Sequence, residues 1–360
     1  MGLLMYLLIY LITVMLCLNH KIIPKRLFFL AWFAVMLCLS FAIRWTVIES
    51  NQVLNDGDFS AYVNNMKIKD TFIIYFLKEP VFWYGTQFLY RVIGNAGLVF
   101  VVIDVIIFVT FYKSVSLFQI YFSKNIKFYN VRYLYFGAFL CYPYIAGMHN
   151  NYRQILAVTI ALYAIGIVNT KFKKSFIIFL IAMAIHNAVV VLSPILLLVG
   201  KHKISSSFIY IASFAIIIGL IVPLFFMNFG YDGWYEISKR FRAVGYAETS
   251  SLRNIIYLFI MIFGACTVAF FDFTAKGKVN YLLASVLAYT TVLYALTIWF
   301  LPDQASSRIF FLILTLLYLL FGLYIETKFK TEPIVRLIYF HISLIPLLGL
   351  RGDGLVYYFV

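Results

Sequence analysis

Two arginines lie at boundaries between a polar and an apolar run of the sequence, and both could bind an anion there. Arg153 follows the polar run His149–Tyr152 and precedes a clean apolar run from Ile155. We expect it in the first turn of a helix, where free backbone N–H groups add their own attraction for an anion. Arg308 stands in the same way after Pro302. A guanidinium is a planar fork of donors suited to phosphate, so the two arginines together predict a diphosphate clamp.

His186 lies near the middle of the apolar stretch Ser175–Val199. Imidazole titrates near neutrality, so His186 is predicted to act as general base on a sugar hydroxyl or, when charged, to bind phosphate. The alternative is an ordinary packed core histidine. Asp58, at the end of the run Asn55–Asp58, is the second candidate for the general base. The alternative is that Asp58 has a structural role in a turn and as a helix cap. The Asp-x-Asp pair lacks the further ligands of a calcium loop, and the four cysteines have no paired spacing, so we predict no metal and no other cofactor.

Further candidate contacts combine arginine with aromatic residues. Arg44 ends an apolar run, and the segment 228–253 contains Arg242 and Tyr246. Arginines bind phosphate and aromatic faces pack on sugar rings, so these three residues are predicted to bind substrate. The alternative for the segment 228–253 is an interfacial amphipathic helix with an aromatic belt. An arginine at a helix end can also reach lipid headgroups instead of a substrate.

Apolar segments must position these residues, and they dominate the composition. The chain has 360 residues, of which 64% are hydrophobic and 12% charged, whereas soluble domains carry about 25% charged residues. Runs close to the ~20 residues that cross a bilayer are Gly2–Leu18, Leu27–Ile43, Leu98–Phe118, Phe208–Met227, Val279–Phe300 and Ile309–Ile325. The sequence therefore predicts an all-α, polytopic transmembrane helix bundle of about 10–12 helices, forming a single integral membrane domain over 1–360.

The charges assign the connections to the two sides of the membrane. The net charge of +15 is explained by an excess of Lys and Arg in cytoplasmic connections, so no nucleic-acid partner is predicted. Lysine clusters flank Ser175–Val199, and both stay inside if this stretch is a short re-entrant hairpin with His186 near its tip. The larger external segments are then 44–97 and 228–253. Within the first, residues 79–95 predict either an interfacial helix or a short entry into the membrane.

Several short motifs occur in the order and spacing of a known family. They are Arg44…Asp58…Tyr62, Glu79-Pro80-Val81-Phe82, Arg153-Gln154-Ile155-Leu156-Ala157, Ala182…Ala184-Ile185-His186-Asn187-Ala188 and Ser307-Arg308. From about Arg44 to Leu320 the chain resembles the EpsG family of Wzy-type polysaccharide polymerases, which are similar to lipid-substrate glycosyltransferases of the GT-C type. Tyr152 stands where the family usually has methionine. The resemblance adds Tyr62 and Gln154 to the predicted substrate-binding residues.

The resemblance implies glycosyl transfer at the outer face of the bacterial cytoplasmic (inner) membrane. An undecaprenyl-pyrophosphate-linked oligosaccharide is joined to a second lipid-linked repeat unit. Arg153 and Arg308 would hold the pyrophosphate, and His186 or Asp58 would activate the acceptor hydroxyl. The implied partners are the lipid-linked donor and acceptor, membrane lipid, and a chain-length regulator and flippase of the same pathway. The alternatives are a lipid-linked oligosaccharide transporter or flippase, a membrane O-acyltransferase and a non-enzymatic assembly subunit.

Overall fold

Helices make up the regular structure of the part of the chain that the structure describes. The computed structural model describes residues 2–18, 23–52, 58–68, 79–122, 128–149, 151–199, 290, 303–329 and 332–348. Its α-helices are α1 (Gly2–Leu18), α2 (Lys25–Ser50), α3 (Asp58–Lys67), α4 (Pro80–Ile93), α5 (Ala96–Phe122), α6 (Arg132–Gly137), α7 (Tyr142–His149), α8 (Tyr152–Ile167), α9 (Phe172–Ile185), α10 (Ser193–Val199), α11 (Asp303–Lys328) and α12 (Pro333–Leu348). Short 3₁₀ segments cover Phe128–Asn130, Ala138–Leu140 and Asn187–Leu192. Within these ranges no strand occurs, so the predicted all-α class is confirmed there.

The helices have the surface of a membrane bundle. α2 and α5 are long and apolar enough to cross a bilayer, and α1, α8 and α12 are shorter apolar helices. Large apolar side chains point away from the bundle, with Leu4 69% exposed and Ile334 68% exposed. By contrast, the polar side chains of Ser40, Asp104 and Thr159 are buried. Hydrocarbon favours such a surface and water does not. The predicted membrane helix bundle is therefore supported, whereas likeness to GT-C-type glycosyltransferases stays a prediction.

Asparagines join the end of α2 to the start of α5. Asn51 ends α2 in the left-handed conformation, and its side-chain oxygen accepts the backbone N–H of Ala96 at 2.8 Å. This contact caps α5. The side chain of Asn95 donates to the carbonyl of Ile48 at 2.8 Å. A Cβ added at Gly97 would lie 2.6 Å from the backbone nitrogen of Ile48, so the two helices approach each other where only glycine fits.

The ambiguous segment 79–95 forms a short helix, α4. It has 14 residues, too few to cross a bilayer. It begins at a proline, as helices often do, and ends at Gly94, whose φ of 75° favours glycine. One face buries Phe82, while Phe88 and Val92 on the other face are 65% and 70% exposed. Both faces of α4 are therefore apolar, one against protein and one away from it.

α8 and α9 form a helical hairpin that returns the chain to its starting end. Residues 168–171 connect them, and the Ser175 hydroxyl donates to the carbonyl of Ala164 at 2.7 Å. α8 has 16 residues and α9 has 14, so both are roughly 20–24 Å long at 1.5 Å per residue. Because paired antiparallel helices of similar length end side by side, the start of α8 lies close to the end of α9.

The helix break predicted at His186 is confirmed. α9 ends at Ile185, and His186 has an extended backbone with φ −153° and ψ 115°. A 3₁₀ segment and α10 follow. The return of the chain that would complete the predicted hairpin over Ser175–Val199 stays a prediction.

α11 begins earlier than the sequence pattern predicts. The expectation placed Arg308 in the first turn of its helix, but the helix begins at Asp303. Arg308 therefore lies in the second turn, and the first-turn prediction is wrong for this residue. The physical reason is that aspartate is favoured at a helix N-terminus, so the polar residues after Pro302 join the helix.

The chain divides into two compact units. One comprises 1–189 and 318–360, and the other comprises 190–317. The first unit contains α1 to α9, the end of α11 and α12. The second contains α10 and the beginning of α11. The single domain over 1–360 and the external placement of 44–97 stay predictions, and the segment 228–253 lies outside the described residues.

Candidate active site

Arg153 lies in the first turn of α8, as predicted. The helix begins at Tyr152, so Arg153 is its second residue. The guanidinium carbon lies 5.0 Å from the ring centroid of Trp83 and 5.5 Å from that of Tyr62, within cation–π range. Its Nε donates to the Tyr62 hydroxyl at 3.4 Å. The side chain is 19% exposed, so a ligand can reach it.

One carboxylate joins Arg153 to His186. Glu79 is the residue before α4 and is 5% exposed. Its Oε2 accepts a hydrogen bond from the guanidinium of Arg153, and its Oε1 contacts Nδ1 of His186. The α8–α9 hairpin explains why Arg153 and His186 lie close together, because Arg153 is in the first turn of α8 and His186 directly follows α9. Two residues that the sequence predicted separately are thus brought together by a third.

The carboxylate of Glu79 is held in its charged form. It lies in the connection between α2 and α5. Burial alone would raise its pKa, but the hydrogen bond and charge of His186, followed by those of Arg153, outweigh burial and keep the pKa below its ordinary value. A charged carboxylate only accepts hydrogen bonds. Nδ1 of His186 is therefore the donor in this contact.

The other ring nitrogen of His186 is the one available for chemistry. His186 is 6% exposed, and within the described residues its Nε2 has no hydrogen-bond partner. In the neutral form of the ring, the proton on Nδ1 leaves a lone pair on Nε2. A lone pair held in this way is what a general base requires.

Gln154 places a second acceptor at the start of α8. The side chain is 4% exposed, and its Oε1 has no partner in the part of the chain that the structure describes. Buried acceptors of this kind are rare. A ligand hydroxyl would satisfy Gln154, as it would satisfy Nε2 of His186. Tyr62 is 2% exposed and packs its ring on Phe82 and Trp83, with centroids 5.3 and 5.8 Å apart, so this wall of the site is aromatic.

Arg44 is committed to a buried ion pair. It is 3% exposed, and its Nε and one terminal nitrogen donate to Asp104 at 3.1 and 3.2 Å. The same terminal nitrogen donates to the carbonyl of Met148 at 2.8 Å. The rings of Phe59 and Phe100 lie 4.6 and 5.4 Å from the guanidinium carbon. These contacts give Arg44 a structural role, and substrate binding by this residue stays a prediction.

The ion pair fixes the first turn of α8. The hydroxyl of Tyr152 contacts a carboxylate oxygen of Asp104 at 2.5 Å and the carbonyl of Phe100 at 2.8 Å. The Ser40 hydroxyl donates to the other carboxylate oxygen at 2.6 Å. Tyr152 directly precedes Arg153, so Asp104 anchors the backbone that carries the candidate phosphate ligand.

The other predicted site residues have less structural context. Asp58 begins α3, which fits the cap interpretation, but its side chain lies outside the described residues. The same holds for the side chain of Arg308 and for Arg242 and Tyr246 entirely. In the described ranges, no group of three or more His, Cys, Asp or Glu side chains could hold a metal ion.

Sequence reasoning assigned no role to Glu79 or Asp104. Each carried a signal. Glu79 precedes a proline that begins a helix and an aromatic segment. Asp104 is an ionisable residue within an apolar span, and such residues usually have a partner or a function. Their partners are distant in sequence, so neither pairing was visible there.

These features define a class: a helical membrane protein with a buried Arg–Glu–His cluster where α4 and α8 begin and α9 ends. A family model described as the EpsG family matches residues 37–350. The match covers most of the chain and includes Glu79, Arg153 and His186, so the chain belongs to the EpsG family, as the resemblance predicted. Comparison with curated proteins and with solved structures finds no match.

Proposed function

We propose that this protein is a polysaccharide polymerase that joins undecaprenyl-pyrophosphate-linked repeat units at the outer face of the bacterial inner membrane. The observation that carries the proposal is the contact of Arg153 and His186 with one buried carboxylate. The cluster combines a phosphate ligand with a base, which are the two groups that glycosyl transfer from a pyrophosphate requires. Membership of the EpsG family supports the same activity.

The reaction is a displacement at the anomeric carbon of the donor sugar. The hydroxyl of the acceptor repeat unit gives its proton to Nε2 of His186, and its oxygen bonds to the anomeric carbon. The bond from that carbon to the pyrophosphate oxygen breaks, and its electron pair leaves with the pyrophosphate. Arg153 and the N-terminus of α8 stabilise the charge that develops on the leaving group.

The remaining predicted residues complete the proposal. Arg308 and Arg242 are further pyrophosphate ligands, and Tyr246 and Tyr62 contact sugar. Gln154 accepts a hydrogen bond from a sugar hydroxyl. Asp58 is the alternative base. The donor, the acceptor and membrane lipid are the partners at this site, with a chain-length regulator and a flippase acting in the same pathway.

The test is polymerisation by the purified protein in lipid vesicles that contain lipid-linked repeat units. We expect a gel ladder of joined units, also in the presence of EDTA because no metal is proposed. Arg153→Ala should reduce the rate by about 10²–10³, the range for losing one charge-stabilising donor. Arg91→Ala is the matched control, because Arg91 is an exposed arginine in the last turn of α4, and it should keep the wild-type rate.

Two outcomes would reject the proposal. Vesicles in which lipid-linked units cross the bilayer without being joined would identify a transporter instead. A full ladder from Arg153→Ala would remove Arg153 from the reaction and with it the basis of the proposed site.

A further inference from the structure

Glu79 has no part of its own in the bond changes of the proposed reaction, yet it is more deeply buried than either of its partners. We propose that Glu79 is the positioning residue of the site: one carboxylate oxygen sets the tautomer of His186, and the other sets the plane of the Arg153 guanidinium. The identity of the base rests on the proposed function. The placement of the ring proton does not, and it can be measured by itself.

The ring of His186 depends on Glu79 for its orientation. Among the described residues, the hydrogen bond from Nδ1 to Glu79 is the one that the ring makes. The neutral histidine side chain in water favours the proton on the other nitrogen, Nε2. A charged carboxylate beside Nδ1 reverses that preference, because it can accept a proton but cannot donate one. The lone pair is thereby placed on Nε2, which carries no protein hydrogen bond within the described chain.

The guanidinium of Arg153 is fixed through two of its nitrogens. One terminal nitrogen donates to Glu79, and Nε donates to Tyr62 at 3.4 Å. The ring face of Trp83 supports the group at 5.0 Å. A guanidinium binds phosphate in its own plane, so fixing that plane fixes the direction from which a pyrophosphate can bind.

Replacing Glu79 by glutamine should invert the arrangement at His186. Arg153 has donors only, so it takes the amide oxygen of the new side chain. The amide NH₂ group is then left facing Nδ1 of His186, where it can only donate. Nδ1 must accept, and the ring proton moves to Nε2. The volume of the side chain hardly changes, so the substitution alters proton placement with little effect on packing.

The experiment uses the full chain with ¹⁵N-labelled histidine in lipid nanodiscs, and the ¹⁵N shifts themselves show which nitrogen carries the proton. The His186 signal is the one lost in His186→Gln. We expect the proton on Nδ1 in the wild type and on Nε2 in Glu79→Gln. Glu49→Gln removes an exposed carboxylate near the end of α2 and should match the wild type. A wild-type proton on Nε2, or a tautomer that Glu79→Gln leaves unchanged, would overturn the proposal.

Kinetics on the same variants test the consequence for catalysis. In Glu79→Gln the turnover number should fall by about 10²–10⁴, the usual contribution of a positioned base, with a smaller change in the KM of the acceptor. Glu49→Gln should keep both constants. An inverted tautomer with unchanged turnover would overturn the positioning role. If even the wild type joins no units, the proposed function fails, whereas the tautomer measurement still decides what Glu79 does to His186.

Discussion

The buried ion pair between Arg44 and Asp104 allows a sharp prediction about stability. Asp104 is fully buried and accepts hydrogen bonds from Arg44, Ser40 and Tyr152. Asp104→Ala removes the carboxylate that accepts all of these hydrogen bonds. The guanidinium of Arg44, 3% exposed, then stays buried without its counter-charge. Asp104→Ala should therefore lower the stability of the protein more than an average core substitution does.

The expected loss of stability can be compared between a variant that removes one charge and a variant that removes both. Removing one partner of a buried ion pair costs about 3–5 kcal/mol, because the other charge is left uncompensated. The double variant Arg44→Met/Asp104→Leu removes both charges and fills the space with apolar atoms, which is often neutral or stabilising. It leaves the Ser40 hydroxyl without its acceptor and the Met148 carbonyl without its Arg44 donor, at a cost of about 1 kcal/mol each. The single substitution should therefore cost more than the double one.

Thermal unfolding of the purified variants in one detergent at one scan rate measures the difference. With the soluble-domain conversion of roughly 2–4 °C per kcal/mol, Asp104→Ala should lower the melting temperature by about 6–20 °C. The double variant should stay within a few degrees of the wild type. If the double variant melts as low as Asp104→Ala, or lower, the ion-pair reasoning is refuted and the effect belongs to packing.

Three further predictions concern other parts of the structure. Gly97→Ala should lower the free energy of unfolding by about 1–3 kcal/mol through overpacking, because its Cβ would lie 2.6 Å from the backbone of Ile48. Gly85→Ala is the control, because no atom lies within 4 Å of the added Cβ. It should be neutral or slightly stabilising in the same melting assay. Because the pKa of Glu79 is lowered in the folded protein, its stabilising contribution is complete above the ordinary carboxyl pKa and is lost as pH falls through the lower value. The melting-temperature difference between wild type and Glu79→Gln should thus be constant near neutral pH and shrink below about pH 4.5, whereas a difference that shrinks near pH 7 would contradict the assignment to Glu79. A cysteine at Ser205 should react only with reagents that reach the cytoplasm if Ser175–Val199 is a hairpin, and external labelling alone would exclude the hairpin.

The apolar runs predicted the helices well where their ends coincide with a change in composition. α1 covers the same residues, Gly2–Leu18, as the predicted run. α2 was different, because the run was expected to end before Arg44, whereas the helix continues to Ser50. Arginine is itself a good helix former, and an ionisable residue can lie inside a membrane helix when it has a partner. The compensating Asp104 lies 60 residues away, so local sequence could not show that the helix continues.

The candidate site was predictable in its chemistry and not in its assembly. Arg153 was identified from the polar–apolar boundary around it, and His186 was identified as an ionisable residue in the middle of an apolar stretch. Glu79 was not, because its partners are 74 and 107 residues away along the chain. The role of this carboxylate depends on its two partners, Arg153 and His186, and the α8–α9 hairpin is what brings them together.

The two apolar faces of α4 make the surrounding lipid part of the site's geometry. Glu79 stands at the beginning of this helix, and Phe88 and Val92 on its far face are 65% and 70% exposed. One face of this helix packs on protein, and on a membrane protein we expect acyl chains to cover an exposed apolar face of this kind. Bilayer thickness and lateral pressure therefore act on α4, and through its first residues on the carboxylate between Arg153 and His186. For the proposed polymerase, nanodiscs of different acyl length should therefore yield different turnover numbers from the same polypeptide.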